Sequence, residues 1–518
     1  MDIVIYILCA AAFGVFLALN VRKSLHMFQL NSYKPATHLR WLRRNLGSLI
    51  PGFAVAVVAL LASVLDDPVL GVMPITAIIV ACDYFLKPSK AKKPLVYTQR
   101  VWRLILTTAL LVAVVVACAA IWNKWFWVMA VLGAISPLLV LVANFLNKPV
   151  EKAINRWFVN DAKRILKSCP DLTVIGVTGS YGKTSVKFIL KTLLEAKYNV
   201  LATPESYNTP MGVVLTIRNQ LRATHEIFVC EMGARHVGDI KEICDIVHPK
   251  HGIITSVGPQ HLETFFTLDN VKKTKFELAD ALPDSGTIFL NGEDENIADH
   301  RANVKNRAVS YGLSENCDYY ATGISASSRG TSFTVHTPKG ETETFTAALV
   351  GAHNVINILG AIAISCELGI SLSALKPQVR RLESVPHRLQ LLPKGGGVTV
   401  IDDAYNSNPT GSKAAIDALA LFDGFKVLVT PGMVELGDRQ EELNKAFGAY
   451  AASVCDYVVL VGKKQTAPIY GGLRETGYPE EKIYVADALS DAITRAYSLD
   501  GGGREKIILL ENDLPDNF

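Results

Sequence analysis

The stretch that most constrains this chain is Gly176-Val177-Thr178-Gly179-Ser180-Tyr181-Gly182-Lys183-Thr184-Ser185, which follows the apolar run Leu172 to Val177 and precedes a helix-like segment from about Val186. That order of residues reads as a strand, a tight glycine-rich loop and a helix. Glycine lets the backbone wrap closely around a phosphate, and successive N–H groups at the helix start supply a fixed positive dipole. Lys183 can then reach the outer phosphates while the Thr184 hydroxyl sits on Mg²⁺. Gly179, Ser180, Gly182, Lys183, Thr184 and Ser185 are the expected nucleotide contacts. The strict pattern has glycine where this chain has Val177, with Gly176 and Gly179 flanking it.

At 518 residues the chain is too long for one ordinary domain, and a prior of about 150 residues per domain suggests three or four units. Its formal charge of +4 gives nucleic-acid binding no global electrostatic support. The nine cysteines form no CxxC pair and no metal-ligand spacing, which fits reduced thiols rather than a disulfide framework.

Apolar runs recur at Ile3 to Leu19, Leu49 to Leu65, Val69 to Leu86, Leu104 to Trp122 and Trp125 to Leu146. Each approaches the ~20 residues that a membrane-spanning helix needs. Five crossings are the direct expectation for residues 1–147. The segments after the first and third runs carry Arg22, Lys23, Lys34, Arg40, Arg43 and Arg44, then Lys87, Lys90, Lys92, Lys93, Arg100 and Arg103, with no acid in either set. By the positive-inside rule these segments face the cytosol, the N-terminus lies outside, and everything after Leu146 is delivered to the cytosol. A multi-pass membrane protein with cytoplasmic catalytic domains is therefore expected. Residues 148–170 read as a juxtamembrane linker, 171–384 as a central domain and 385–518 as a C-terminal domain.

After the loop, short β-rich runs at Val174 to Val177, Ile227 to Cys230 and Gly252 to Ser256 are separated by helix-sized gaps, the pattern of an α/β sheet with crossover helices. Ligands in such sheets sit at the carboxyl ends of the strands. Glu231 and His261 fall at or soon after such ends, and Glu231 can complete a Mg²⁺ site with Thr184 because that ion favours hard oxygen ligands.

The Gly176 to Ser185 loop, Glu231-Met232-Gly233-Ala234, His261 and the later run Asp402-Asp403-Ala404-Tyr405-Asn406-Ser407-Asn408-Pro409 together resemble the Mur ligase family. The branch most similar is the one that adds D-alanyl-D-alanine to a muramoyl tripeptide, and the likeness runs from about Leu172 to Gly462. The resemblance implies ATP as co-substrate and two Mg²⁺ ions, with Lys183 and Thr184 on the phosphates and metal, and Glu231 and His261 as metal ligands. It also implies a lysine carbamylated by CO₂, and the family's Lys-x-Glu spacing selects Lys275 within Val271 to Leu278. Asn208 and Thr209 match the substrate loop, where the family has asparagine at the second position. Asn354 and Asn357 match the adenine site.

Further on, Val398 to Ile401, Lys426 to Val429, Tyr457 to Val461 and Lys506 to Leu510 read as buried strands with helices between them, a second, Rossmann-like α/β domain. By the resemblance Arg388 approaches the γ-phosphate, Asp403 contacts the ribose, and Tyr405, Asn406 and Asn408 lie near the substrate. An arginine supplied by another domain stabilises a transferring phosphoryl group only when the domains close.

The implied reaction is ATP-dependent amide formation in peptidoglycan precursor synthesis. A substrate carboxylate attacks the γ-phosphate, and an amine such as that of D-Ala-D-Ala displaces phosphate from the acyl phosphate. Lys183, Lys275, His261 and Arg388 are the expected catalytic residues. Ordinary members of the family begin with a domain that binds the uridine diphosphate of the acceptor; here that region is spent on apolar helices. A nucleotide-linked or a lipid-linked muramoyl peptide is thus an open choice, with neighbouring wall-building proteins as potential partners. The alternative from another class is a membrane transporter or sensor driven by the P-loop domain, and the apolar runs hold almost none of the charge that transport pathways show.

Overall fold

The computed structural model describes residues 2–50, 52–57, 94–121, 125–205, 207–327, 330–349, 351–383, 387, 389–404, 408–420, 422–434 and 436–512. Backbone contacts divide the chain into two units that meet at Trp157 and Phe158.

The first unit is helical: α1 (Asp2–Leu30), α2 (Pro35–Arg44), α3 (Gln99–Ala120), α4 (Trp125–Ala134) and α5 (Ser136–Lys167), the last continuing into the second unit. Leu25, Phe28, Leu104, Val140 and Ala143 form its buried cluster. The Arg103 guanidinium pairs with Glu151 at 2.7 Å.

Of the five expected crossings, the described residues contain one helix that is long and apolar enough, α3, with 22 residues. A second is obtained if α4 and α5 are taken as one span bent by 81°. The bend falls at Ile135-Ser136-Pro137, where a proline at the start of α5 has no N–H to carry the preceding helix through. The Ile3 to Leu19 run lies within α1. The Val69 to Leu86 run and most of Leu49 to Leu65 lie outside the described residues.

The second unit holds two α/β domains. In the first, a nine-stranded sheet has the order β2-β3-β1-β4-β5-β6-β7-β8-β9. Its strands are β1 (Thr173–Thr178), β2 (Val200–Ala202), β3 (Ile227–Glu231), β4 (His251–Ile254), β5 (Thr287–Asn291), β6 (Arg307–Gly312), β7 (Tyr319–Ser327), β8 (Gly330–His336) and β9 (Thr342–Ala347). The pairings from β2 through β7 are parallel, and β7, β8 and β9 turn back antiparallel. All five residues of β3 and of β5 are buried, as parallel strands covered on both faces must be.

Two cores lie on opposite faces of this sheet. One packs α6 (Lys183–Leu194) and the Ala-rich α10 (Ala352–Glu367) against Ile175, Val177 and Val229. The other packs α7 (Pro210–Gln220), α8 (Asp239–Val247) and α9 (Leu268–Asp280) against Val174, Phe228 and Ile254. The end of α5 joins this second core through Phe158, Val159, Ala162, Ile165 and Leu166. Arg218 fastens it there, 2.7 Å from Asp161 and over the Phe158 ring.

The C-terminal domain is a six-stranded sheet of order β10-β11-β15-β12-β13-β14. The strands are β10 (Gln390–Gly395), β11 (Val398–Asp403), β12 (Phe425–Thr430), β13 (Tyr457–Val461), β14 (Ile483–Ala486) and β15 (Lys506–Glu511), all parallel except the edge pair β10 and β11. The four strands expected here from apolar runs are β11, β12, β13 and β15. The chain returns to the centre with β15, so β11, β15 and β12 bring their carboxyl ends together. Such a reversal of strand order makes a ligand crevice.

Candidate active site

The loop after β1 is built as its sequence requires. Gly179 has φ +152° and Gly182 has φ +78°, and Gly182 is the N-cap of α6. A side chain at Gly179 would collide with Thr255 Oγ1, at 2.1 Å from the position of a Cβ. The loop is clamped by the segment after β4. Ser180 N donates to the Ser256 carbonyl at 2.8 Å, Tyr181 N to Ser256 Oγ at 2.8 Å, and Ser180 Oγ to the Gly258 carbonyl at 3.0 Å. Asp294 in turn accepts from Val257 N at 2.7 Å. Burial lifts the Tyr181 phenol well above its ordinary pKa, against a hydrogen bond to Thr410 of the C-terminal domain.

The Lys183 ammonium donates to the carbonyls of Gly179 at 2.7 Å and Ser180 at 3.0 Å, so it is folded over its own loop. Those are weak partners for a full cation, and a phosphate is a better one. Thr184 Oγ1 donates to Glu231 Oε1 at 3.1 Å, and Asn208 Nδ2 reaches the same oxygen at 3.0 Å. The end of β3, the start of α6 and the loop after β2 therefore converge on one buried carboxylate. Asn357, on the first turns of α10, sits against Gly182, with its Oδ1 2.9 Å from where a Cβ there would stand. Asn354 lies in the same first turn, its N–H on the Gly351 carbonyl.

Lys275 is fully buried on α9. Burial first, then the nearby Lys183 ammonium, hold its amine well below the ordinary lysine range. A neutral amine is the form that reacts with CO₂. Glu277, two residues on, accepts the N–H groups of Gly238 at 2.7 Å and Lys241 at 2.9 Å, and so caps α8. His261 opens the short turn Leu262–Phe265 with φ +53°. Among the described residues no three His, Cys, Asp or Glu side chains are grouped so as to hold a metal ion. Glu231 and His261 thus form no ready-made three-ligand cage. The donor set still fits Mg²⁺, which takes one or two protein oxygens and draws the rest from phosphate and water. Glu231 Oε2 is buried 3.0 Å from the Lys187 ammonium with no aligned hydrogen bond, so the carboxylate keeps lone pairs for a further partner.

Some expected contacts have a local structural use. Thr209 caps α7 through Gly212 N at 3.3 Å, ahead of Pro210. Asn408 does the same for α11 (Pro409–Ala420), accepting from Gly411 N at 2.7 Å. Asp403 accepts from Leu389 N at 3.1 Å. Arg388, Tyr405 and Asn406 lie outside the described residues.

Sequence reasoning passed over Lys187, which has no exposed side-chain surface and stands 3.0 Å from Glu231 Oε2. Its helical spacing from Lys183 and Thr184 was the available signal, since residues three and four apart share a helix face.

A phosphate loop whose Thr184 bonds the buried Glu231, with a second α/β domain following in the chain, defines a P-loop nucleotide-binding protein of two α/β domains. Residues 177–365 match the Mur ligase middle domain and residues 387–510 match the Mur ligase, glutamate ligase domain. The chain belongs to the Mur ligase family. It is 34% identical over 298 residues to the UDP-N-acetylmuramoyl-tripeptide--D-alanyl-D-alanine ligase of Escherichia coli, an alignment covering 57% of this chain and 65% of that protein. With the same-named Bacillus subtilis protein it shares 34% identity, over 53% of this chain and 59% of the relative. The chain thus spans about three fifths of the length of these relatives. Among solved structures, MurF from Acinetobacter baumannii superposes with a TM-score of 0.64 at 27% identity, covering 69% of this chain and 77% of that one. MurF ligase from Thermotoga maritima in complex with ADP gives 0.62 at 26% identity, covering 70% and 81%.

Proposed function

We propose that this chain is an ATP-dependent, amide-bond-forming ligase that adds D-Ala-D-Ala or a related amine to a muramoyl tripeptide in peptidoglycan precursor synthesis. The observation that carries the reading is the convergence of Thr184 and Asn208 on Glu231 at the strand ends, beside a phosphate loop whose Lys183 stands near the buried Lys275. The names of the E. coli and B. subtilis relatives supply the substrates of the proposal.

Lys183 leaves its loop carbonyls for the triphosphate, and the loop N–H groups hold the phosphates in place. Thr184 and Glu231 would hold Mg²⁺, which supplies charge neutralisation between a carboxylate nucleophile and the γ-phosphate. Arg388 and Asp403 are proposed to complete the nucleotide site from the C-terminal domain, with Asn357 and Asn354 on the adenine side. His261 is proposed to act on the metal side. The neutral Lys275 amine adds to CO₂, forming an N–C bond and releasing one proton; the resulting carbamate is an anionic oxygen ligand for a second ion. The acceptor carboxylate attacks the γ-phosphorus and ADP leaves. The incoming amine then attacks the acyl carbon and expels inorganic phosphate. Asn208, Tyr405, Asn406 and Asn408 would orient the two substrates, and orientation supplies much of the rate of such a transfer.

The helical first unit supports a multi-pass membrane location with the catalytic domains in the cytosol, and with it a lipid-linked acceptor. Holding the enzyme at a membrane raises its effective concentration toward a lipid-borne substrate. The experiment is to purify the full chain in detergent with ATP, Mg²⁺ and D-Ala-D-Ala, offer nucleotide-linked or lipid-linked muramoyl tripeptide, and read product mass. A dipeptide-sized gain on either acceptor supports the ligase, and the preferred acceptor assigns the helices. ATP hydrolysis without any adduct would overturn the proposal.

A further inference from the structure

Lys187 follows Thr184 by three residues on α6 and points inward with no exposed surface. A wholly buried ammonium is costly unless charge and hydrogen bonds match it. Its Nζ stands 3.0 Å from Glu231 Oε2, itself on a residue with 1% exposure, and donates to the carbonyl of Glu205. Glu205 has φ +37°, a left-handed conformation at a non-glycine residue. Such a conformation persists only where the surroundings impose it.

The rest of that loop is fastened to the same acid. Thr203 Oγ1 accepts from Glu231 N at 3.1 Å, Asn208 Nδ2 donates to Glu231 Oε1 at 3.0 Å, and Gly233 N donates to the Asn208 carbonyl at 2.8 Å. Between Thr203 and Asn208, the Lys187 bond to Glu205 is the link that runs through a charge. A cation binding at Glu231 competes with the Asn208 amide for the carboxylate. The same cation repels the Lys187 ammonium on the other oxygen, and that displacement reaches the loop through the Glu205 carbonyl.

We infer that Lys187 is a positioning residue that ties the loop of residues 203–209 to the metal-binding acid, so that a metal at Glu231 changes the state of the loop that carries Asn208. The inference rests on Thr184 and Glu231 being the metal pair of the proposed nucleotide site. Lys187 touches no reacting atom; it acts through Glu231 and Glu205.

The test is amide hydrogen exchange on the full chain, with ADP in the presence of Mg²⁺ or of EDTA, and ADP binding measured on the same samples. In the wild type, Mg²⁺ with ADP should change exchange in residues 203–209 about threefold or more, and ADP with EDTA should not. In Lys187→Met, the ligand-free exchange of this loop should rise about tenfold and the Mg²⁺ response should vanish, with ADP affinity kept within about threefold. If that variant does not fold, Lys187→Gln, which keeps a donor for the Glu205 carbonyl without the charge, should leave the ligand-free exchange near that of the wild type and still lose the Mg²⁺ response. A loop that ignores Mg²⁺ in the wild type, or still responds in the variant, would overturn the inference. Failure of the wild type to bind ADP would instead overturn the nucleotide site.

Discussion

His387 Nδ1 lies 2.8 Å from Asp402 Oδ2, a hydrogen bond from the residue three positions before β10 to the end of β11. His387 has φ +59° and Leu389 has φ +47°, both left-handed at non-glycine residues. Asp402 also accepts from Ala404 N at 3.1 Å, and Asp403 accepts from Leu389 N at 3.1 Å. Adjacent acids at the end of β11 thus hold His387 and Leu389, one each. Each non-glycine residue in that region costs of order 1 kcal/mol, which the surrounding contacts must offset.

Replacing Asp402 with alanine should therefore let this segment relax. We expect the turnover number for ATP-dependent amide formation to fall about tenfold or more, since a misplaced charged group loses its alignment. The nucleotide KM should change far less, because the phosphate loop belongs to the other domain. Steady-state kinetics with ATP varied at saturating acceptor would show the split. A proportional rise in KM with constant turnover would contradict the assigned role of the segment.

Gly182 is held in the left-handed region, with the Asn357 side-chain amide beside it. Its φ of +78° disfavours any other residue, and a Cβ would stand 2.9 Å from Asn357 Oδ1. Gly182→Ala should weaken ADP binding about tenfold or more and cost about 1–2 kcal/mol of stability. Calorimetric titration with ADP and thermal unfolding check the two effects separately.

The parallel strands and the phosphate loop were legible because buried β-rich runs and glycine spacing are local signals. β11, β12, β13 and β15 each follow from a continuous apolar run, and the loop from its Gly-Lys-Thr end. The antiparallel β7, β8 and β9 were not, because their half-exposed Thr-rich and Ser-rich sequences lack such a run. At the site, the Thr184 to Glu231 convergence spans 47 positions, and it was read from the ends of two strands. The partnership of Lys187 with Glu231 was not read, because a lysine on a helix is ordinarily solvated. Only the fold reveals that this one points at a buried acid. The double use of Thr209 and Asn408 as helix caps was hidden by the same ambiguity, since Thr and Asn serve caps and ligands equally well.

His251, at the start of β4, is half-buried and its Nδ1 has no hydrogen-bond partner. Burial first, then Lys250, press its pKa down to about 4; Glu367 opposes them and Arg307 adds to the lowering. The unfolded chain takes up this proton near pH 6.5 while the folded one refuses it until about 4. Stability is therefore complete above pH 6.5 and is lost as pH falls through that window. The loss attributable to this group should reach about 2 kcal/mol by pH ~4.5. Denaturant unfolding of the wild type and of His251→Gln from pH 7 to 4.5 measures it: the variant should lose distinctly less over that range.

Lys275 gives the sharpest opposition between fold and activity. Its amine is fully buried and held well below the usual lysine range, by burial and then by Lys183. The unfolded chain binds that proton below pH 10.5, so at neutral pH the folded state forgoes a protonation that unfolding would recover. A methionine of similar length carries no such penalty. Lys275→Met should stabilise the second unit by roughly 1–2 kcal/mol, within the range seen when buried charged groups give way to apolar ones. The same change should cut ligase turnover by about 100-fold or more, since it removes the amine that would take up CO₂. Unfolding at pH 7 and product formation with and without added bicarbonate test both halves. If bicarbonate raises the wild-type rate but leaves the variant inactive, the amine is the CO₂ acceptor. If the variant keeps its activity, Lys275 is a structural lysine only, and the second metal ligand lies elsewhere.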